Sequence, residues 1–238
     1  MPAILFSAAV VSAAIALLLL RSLGSRYRVG RLLAAAPHVE IAEAIELAAG
    51  APRYVRVYGR ISSEEEFPDE NDRPLVYRHK RVDIADSKGR WRSIADQREA
   101  VPFGVETRGE FIAIDESAIA EGLVAIPRES TGTVSDLPRE TVTGVDDLPA
   151  PDSAARLVIE QVSAVEHATV CGTPVHLNGQ PTMTAGAGRP LIVTTLEAPA
   201  AMRVLASGQR GRVVTAAGLL VLAVLLLVAA AVAAIAAI

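Results

Sequence analysis

The chain has 238 residues, with 23 Lys and Arg, 27 Asp and Glu and a single Cys, and every acidic and basic residue lies between positions 21 and 212. The two uncharged blocks, 1–20 and 213–238, raise the mean hydropathy to +0.34, whereas the middle is about one quarter charged, like an ordinary soluble domain. This distribution excludes a single soluble globule, a disordered chain, a disulfide-stapled scaffold and a strongly basic nucleic-acid binder.

Residues 1–20 are read as a transmembrane helix. A cleaved signal needs basic residues ahead of its apolar run and a small-residue cleavage site after it. Here Met1-Pro2 brings no charge and Arg21 follows Leu20, so an uncleaved helix is expected. Ala8, Ser12 and Ala16 form a small-residue stripe along it. A basic juxtamembrane segment follows, 21–35, in which Arg21, Arg26, Arg28 and Arg31 precede any acid.

Residues 36–202 are expected to form a mainly-β soluble domain with short helices, barrel-like or a curled sheet. Pro37 to Ala49 has helical spacing, with Val39, Ile41, Ala42, Ile45 and Leu47 set among Glu40, Glu43 and Glu46, and Gly50 and Pro52 close it. The period then becomes two over Arg53 to Ile61, where Val55, Val57 and Ile61 share a face. Glu64 to Asp72 carries six acids in nine residues and reads as a solvated loop; without the alternate ligands and turn Gly of a calcium loop, it is not read as a metal site. Further strands are expected at 75–84, 90–95, 100–105, 110–115, 156–163, 169–177 and 190–196, with Asn178-Gly179 as a two-residue hairpin turn. The Ser-, Thr-, Pro- and Gly-rich stretch 128–155 reads as a linker or long loop dividing two lobes. A short helix from Glu197 to Ser207 leads through a basic segment, 203–212, with Arg203, Arg210 and Arg212, into a second transmembrane helix, 213–238, where Ala229, Ala233 and Ala237 recur every fourth residue.

The basic collars set the orientation, because Lys and Arg beside a span are retained in the cytoplasm. Both collars belong to the central segment, which predicts a multi-pass cell-membrane protein with two spans and its domain on the cytoplasmic side. Inside the collars, residues 32–202 hold 16 basic against 27 acidic residues. An acidic body suits a domain beside the bilayer and disfavours nucleic acid as a partner.

Chemical signatures are weak. Glu166, His167, Cys171 and His176 are the residue types of a zinc site, but they cross a strand whose alternate residues face opposite ways, so a buried thiol with two surface histidines is expected instead. No Gly-x-Ser-x-Gly nucleophile elbow is present. Gly186-Ala187-Gly188 is too short for a phosphate loop and reads as a turn, and His79 with Asp83 reads as a polar strand edge. No catalytic residue, metal ligand or cofactor is assigned.

Several segments in order carry a resemblance: Tyr58-Gly59-Arg60, Pro74-Leu75-Val76-Tyr77-Arg78, Gly89-Arg90-Trp91, Ala100-Val101-Pro102-Phe103, then Gly172 to Leu177 and Arg189 to Thr195. Their arrangement between two apolar blocks resembles the GIDE or BAM (beside a membrane) domain family, whose best-known members are membrane-anchored E3 ubiquitin ligases carrying a RING. One cysteine cannot supply the eight ligands of a RING, so the resemblance implies the β-rich module without RING catalysis. Tyr77, Trp91 and Phe103 are expected to pack in the core. The implied function is a membrane-anchored interaction or regulatory module at the cytoplasmic face, not an enzyme. The alternatives are a substrate-capturing adaptor of a ubiquitin-like conjugation system and an exterior-facing ligand sensor. The expected partners are the lipid bilayer, a membrane or cytoplasmic protein, and further copies of the chain in a homo-oligomer formed through the transmembrane helices.

Overall fold

The computed structural model describes residues 2–22, 24–119, 122–142, 148–206 and 210–235. In chain order the elements are helices α1 (Pro2–Ser22), α2 (Gly24–Ala35) and α3 (Ile41–Ala49); strands β1 (Val55–Ser62), β2 (Phe67–Pro68), β3 (Pro74–Ala85), β4 (Trp91–Ala100), β5 (Gly104–Thr107), β6 (Glu110–Ile114) and β7 (Arg128–Thr133); helix α4 (Arg139–Val142); strands β8 (Ala154–Ser163), β9 (His167–Leu177), β10 (Gln180–Thr184) and β11 (Ile192–Thr194); and helices α5 (Ala198–Ala206) and α6 (Arg210–Ile235). They divide into two compact units, Leu33–Ala201 and the paired ends Met1–Leu32 with Met202–Ile238.

The larger unit is mainly β with short helices. Its core is a sheet closed on itself in the order β1-β5-β6-β10-β9, because β1 pairs with both β5 and β9. All of these contacts are antiparallel except β6 with β10, where Ala113 and Ile114 lie parallel beside Thr182 and Met183. Renumbered as five barrel strands, the closed order is 1-2-3-5-4 with strands 3 and 5 parallel. That is the connectivity of an OB-type Greek-key barrel.

Alternation along β1 turns Val55, Val57 and Ile61 inward to meet Val105, Ile112, Ile114, Val170 and Met183. Each such burial contributes about 1.5–3 kcal/mol. Helix α3 caps this core with Ile41 and Ala44; Val39 N–H donates to the Arg56 carbonyl and Arg56 N–H to that of Pro37, which fixes the helix start against β1. The turns Arg108-Gly109 and Asn178-Gly179 have positive φ at both positions, the type I′ geometry that matches the twist of a hairpin.

A second sheet grows from two excursions of the barrel. Strands β2 to β4 leave between β1 and β5, and β7 and β8 leave between β6 and β9. In it β3 is central, flanked by β4 and β8, and β7 forms the far edge beside β8. The stretch 128–155 is therefore not a bare linker: Arg128 to Thr133 pair residue by residue with Ile159 to Ala154. The expected Glu64–Asp72 loop likewise holds a two-residue strand, Phe67–Pro68, against β3, and Asp69 there is buried.

In the smaller unit, α1 and α6 pack together. Ala9 and Ala16 of α1 and Ala216, Ala223 and Ala230 of α6 are buried at seven-residue spacing, the two-turn repeat of a left-handed helix pair. Of the stripes expected from sequence, Ala16 lies in this seam while Ala8 and Ala229 are exposed, and the side chains of Ala233 and Ala237 lie outside the described residues. Among the described residues, one helix is long and apolar enough to cross a membrane, over Val214–Val232, with most of that stretch exposed. In α1, a helix of 21 residues, the described apolar stretch is Phe6–Leu18. The collar arginines Arg28, Arg31 and Arg203 are exposed, while the side chains of Arg21, Arg26, Arg210 and Arg212, and the end of the expected helix at Ser207, lie outside the described residues.

Candidate ligand cleft

A cleft of about 760 Å³ opens on the outer face of β5, β6 and β10. Period-two alternation builds its floor, since Ile112 and Ile114 point into the barrel while Phe111 and Ala113 of the same strand face the opposite side. Gly104, paired with Ala113, leaves room for the Phe111 ring: a Cβ there would lie 2.5 Å from the ring and 2.3 Å from the Ile112 carbonyl oxygen. One wall is Leu177 and Asn178 at the β9–β10 turn, and the other is the two ends of the β1–β5 excursion, Ser62 to Glu65 and Pro102-Phe103. Ser63 Oγ donates to the Pro102 carbonyl at 2.6 Å, which ties those ends together.

The lining includes Glu64, Glu65, Glu106, Asp115 and Glu116 and no Lys or Arg. Asp115 is the best held: the Thr184 and Ser117 hydroxyls each donate to its carboxylate at 2.6 Å. Burial disfavours its charge, yet these hydrogen bonds outweigh it and keep the carboxyl below its ordinary value. Among the described residues none of the five carboxylates takes part in an ion pair. Apolar side chains are exposed beside them, with Phe111 at 40% and Leu177 at 41%. The cleft thus offers apolar contact below and uncompensated negative charge around it.

Of the residues singled out in the sequence, Glu64, Glu65, Pro102, Phe103, Leu177 and Asn178 line this cleft, and the candidate chemical residues lie apart from it. Tyr77 and Phe103 are buried, the Tyr77 hydroxyl donating to the Ile119 carbonyl. Trp91 is not in the core: it opens the strand β4 at the sheet's edge, and the Arg156 guanidinium lies 4.6 Å from its ring centroid. Asp83 is buried between Arg81 and Arg156, and His79 sits between Glu160 and Asp96. Both belong to the central strand β3, so the reading of a polar edge is replaced by a paired interior strand.

His167 stacks on Tyr58 at 5.7 Å, and Cys171 is buried, with burial raising its thiol to about 12. That thiol is neutral at ordinary pH and a poor nucleophile or ligand. Among the described residues, no group of three His, Cys, Asp or Glu side chains is arranged to hold a metal. Gly186 to Arg189 form a tight turn closed by paired backbone bonds.

Sequence reading missed the cleft because its parts come from four separated segments. The available signal was the Glu64-Glu65 start of the acidic run, which alone reads as a solvated loop. No protein-family profile matches the chain, and no curated protein or solved structure is detectably similar to it.

Proposed function

We propose that the chain is a membrane-anchored protein-interaction module, with residues 36–202 as the receptor and the apolar helices as its anchor. The carrying observation is the cleft, in which Phe111 and Leu177 stay exposed side by side with five carboxylates. Fold-level analogy points the same way: OB barrels bind ligands on the face of their second and third strands and at the loops after the first and fourth, here β5, β6, residues 63–103 and the 178–179 turn. Nucleic acid is disfavoured, since its phosphates would meet five carboxylates. The resemblance to GIDE domains supports the same reading.

The proposed anchor has two spans, 1–20 and 213–238. The uncharged first block and the packing of α1 on α6 through Ala9 and Ala16 support the first of them. The collar arginines support a cytoplasmic position for the domain. Protease added outside sealed cells is expected to leave the domain whole, and inverted vesicles to expose it; cleavage from outside overturns the orientation.

The interaction itself is tested by placing a photo-cross-linking side chain at Asn178 on the cleft rim, or at Lys88 in a distant turn, in native membranes. Discrete protein adducts are expected at position 178, weakened by Phe111→Ser and absent at position 88. The same pattern at both positions, or none at 178, removes the cleft as the interaction site.

A further inference from the structure

We infer that the occupant of the cleft is an extended protein segment bearing Lys or Arg side chains around an apolar residue. This rests on the cleft being the docking site, and adds the chemistry of what docks. Charge is the first argument. Glu64, Glu65, Glu106, Asp115 and Glu116 line one cleft with no cation among its lining residues, and Asp115 is held ionised by two hydroxyl donors. Like charges gathered around a concave surface repel one another, and an incoming cation relieves that repulsion while gaining its own attraction.

The floor is the second argument. A small hydrated cation gains nothing from Phe111, Pro102 and Leu177, whereas a peptide places an apolar side chain there and the aliphatic stems of Lys or Arg along the walls. The exposed Phe111 face also accepts a guanidinium, as Trp91 does for Arg156 elsewhere in this chain.

Size is the third. At about 760 Å³ the cleft exceeds one side chain and lies in the range of larger ligand sites. Register puts a carboxylate and an aromatic side by side across the sheet, since Glu106 pairs with Phe111. An extended segment, whose alternate side chains point to opposite faces, suits such a surface because one face of it meets the sheet.

The full-length chain in detergent micelles is titrated with a fluorescent six-residue peptide alternating Arg with Leu or Val, and with versions carrying citrulline or Glu in place of Arg. Binding of the Arg peptide is expected to weaken roughly fivefold on each of Glu65→Gln and Glu116→Gln and to fall as salt rises from about 50 to 500 mM. Glu46→Gln on α3, outside the cleft, is expected to leave it unchanged. Equal binding of the citrulline or Glu peptide, or direct binding of a fluorescent single-stranded oligonucleotide to the chain that Phe111→Ser weakens, overturns the inference. So does concentration-dependent self-association of the chain that the same Gln variants abolish, since the occupant is then a second copy. If the Arg peptide fails to bind while cross-linking at position 178 still depends on Phe111, the cleft remains a docking site and only its cationic specificity falls. If both fail, the docking reading falls with it.

Discussion

Single residues decide whether the cleft exists. Phe111 can lie across its floor only because Gly104 has no side chain, so Gly104→Ala forces either the ring or the Ile112 carbonyl to move. Overpacking of this kind costs about 1–3 kcal/mol. Denaturant titration of the variant should show that loss, together with weaker peptide binding; an unchanged midpoint would mean that the strand pair flexes freely there. Asp69 does comparable work in the β1–β5 excursion, accepting from the Asn71 and Arg73 amides at 2.7 and 3.0 Å. Those bonds hold its carboxyl below the ordinary value. A group depressed in the folded state stabilises it at neutral pH, and that contribution fades as pH falls below about 4 through the folded-state value. Asp69→Asn should therefore be less stable than the parent near neutrality, with the gap closing toward pH 3. A gap of constant size would show that the charge of Asp69 is not what matters. Neither role was legible in the sequence: Gly104 gains its meaning from a ring on the next strand, and Asp69 sits in an acidic run that composition reads as solvated.

At the scale of elements, legibility followed how local each signal was. The β1 alternation, the Asn178-Gly179 turn and the apolar α6 declare themselves within a few residues, and the structure places all three where the pattern does. Strand β7 does not. Its residues, Arg-Glu-Ser-Thr-Gly-Thr, are polar on both faces and exposed nearly throughout, because an edge strand beside β8 buries almost nothing. Its register comes from backbone pairing with Ile159 to Ala154, a contact between residues 21 to 31 positions apart, and hydrophobic period carries no trace of it. Trp91 was misplaced for a related reason. Aromatic residues in strands are usually core, but β4 lies at the edge of the second sheet and its Trp ring is covered by a cation instead of by a layer. The helix pair keeps only part of the expected Ala8-Ser12-Ala16 stripe: the seam buries Ala16 together with Ala9, seven residues before it, and leaves Ala8 exposed. In an Ala-rich helix several faces are small, and only the partner's position selects among them.

Across the whole molecule, the order of strands in the barrel ties together parts of the chain that sequence alone separates. The stretch 128–155 looks like an interdomain linker, and if it were one, the segments before and after it would each hold a core. They do not. Strands β1, β5 and β6 come before it and β9 and β10 after it, yet the barrel closes only when β9 pairs with β1 and β10 with both β6 and β9. The second sheet repeats the arrangement, since β3 pairs with β8 along nearly its full length. Neither segment can bury Val57, Val105, Val170 and Met183 without the other, and a partial sheet with one open apolar side is barely stable alone. A protease site inserted between Val142 and Leu148 of the full-length chain tests this directly. After cleavage in micelles the two pieces should stay associated and the β-rich unit should still unfold in one cooperative step, at a lower denaturant concentration because closing the barrel is no longer intramolecular. Removing the denaturant should restore the cleft and its peptide binding only when both pieces are present. Two separate transitions, or a cleft that survives on the first piece alone, would show that the barrel does not depend on its late strands.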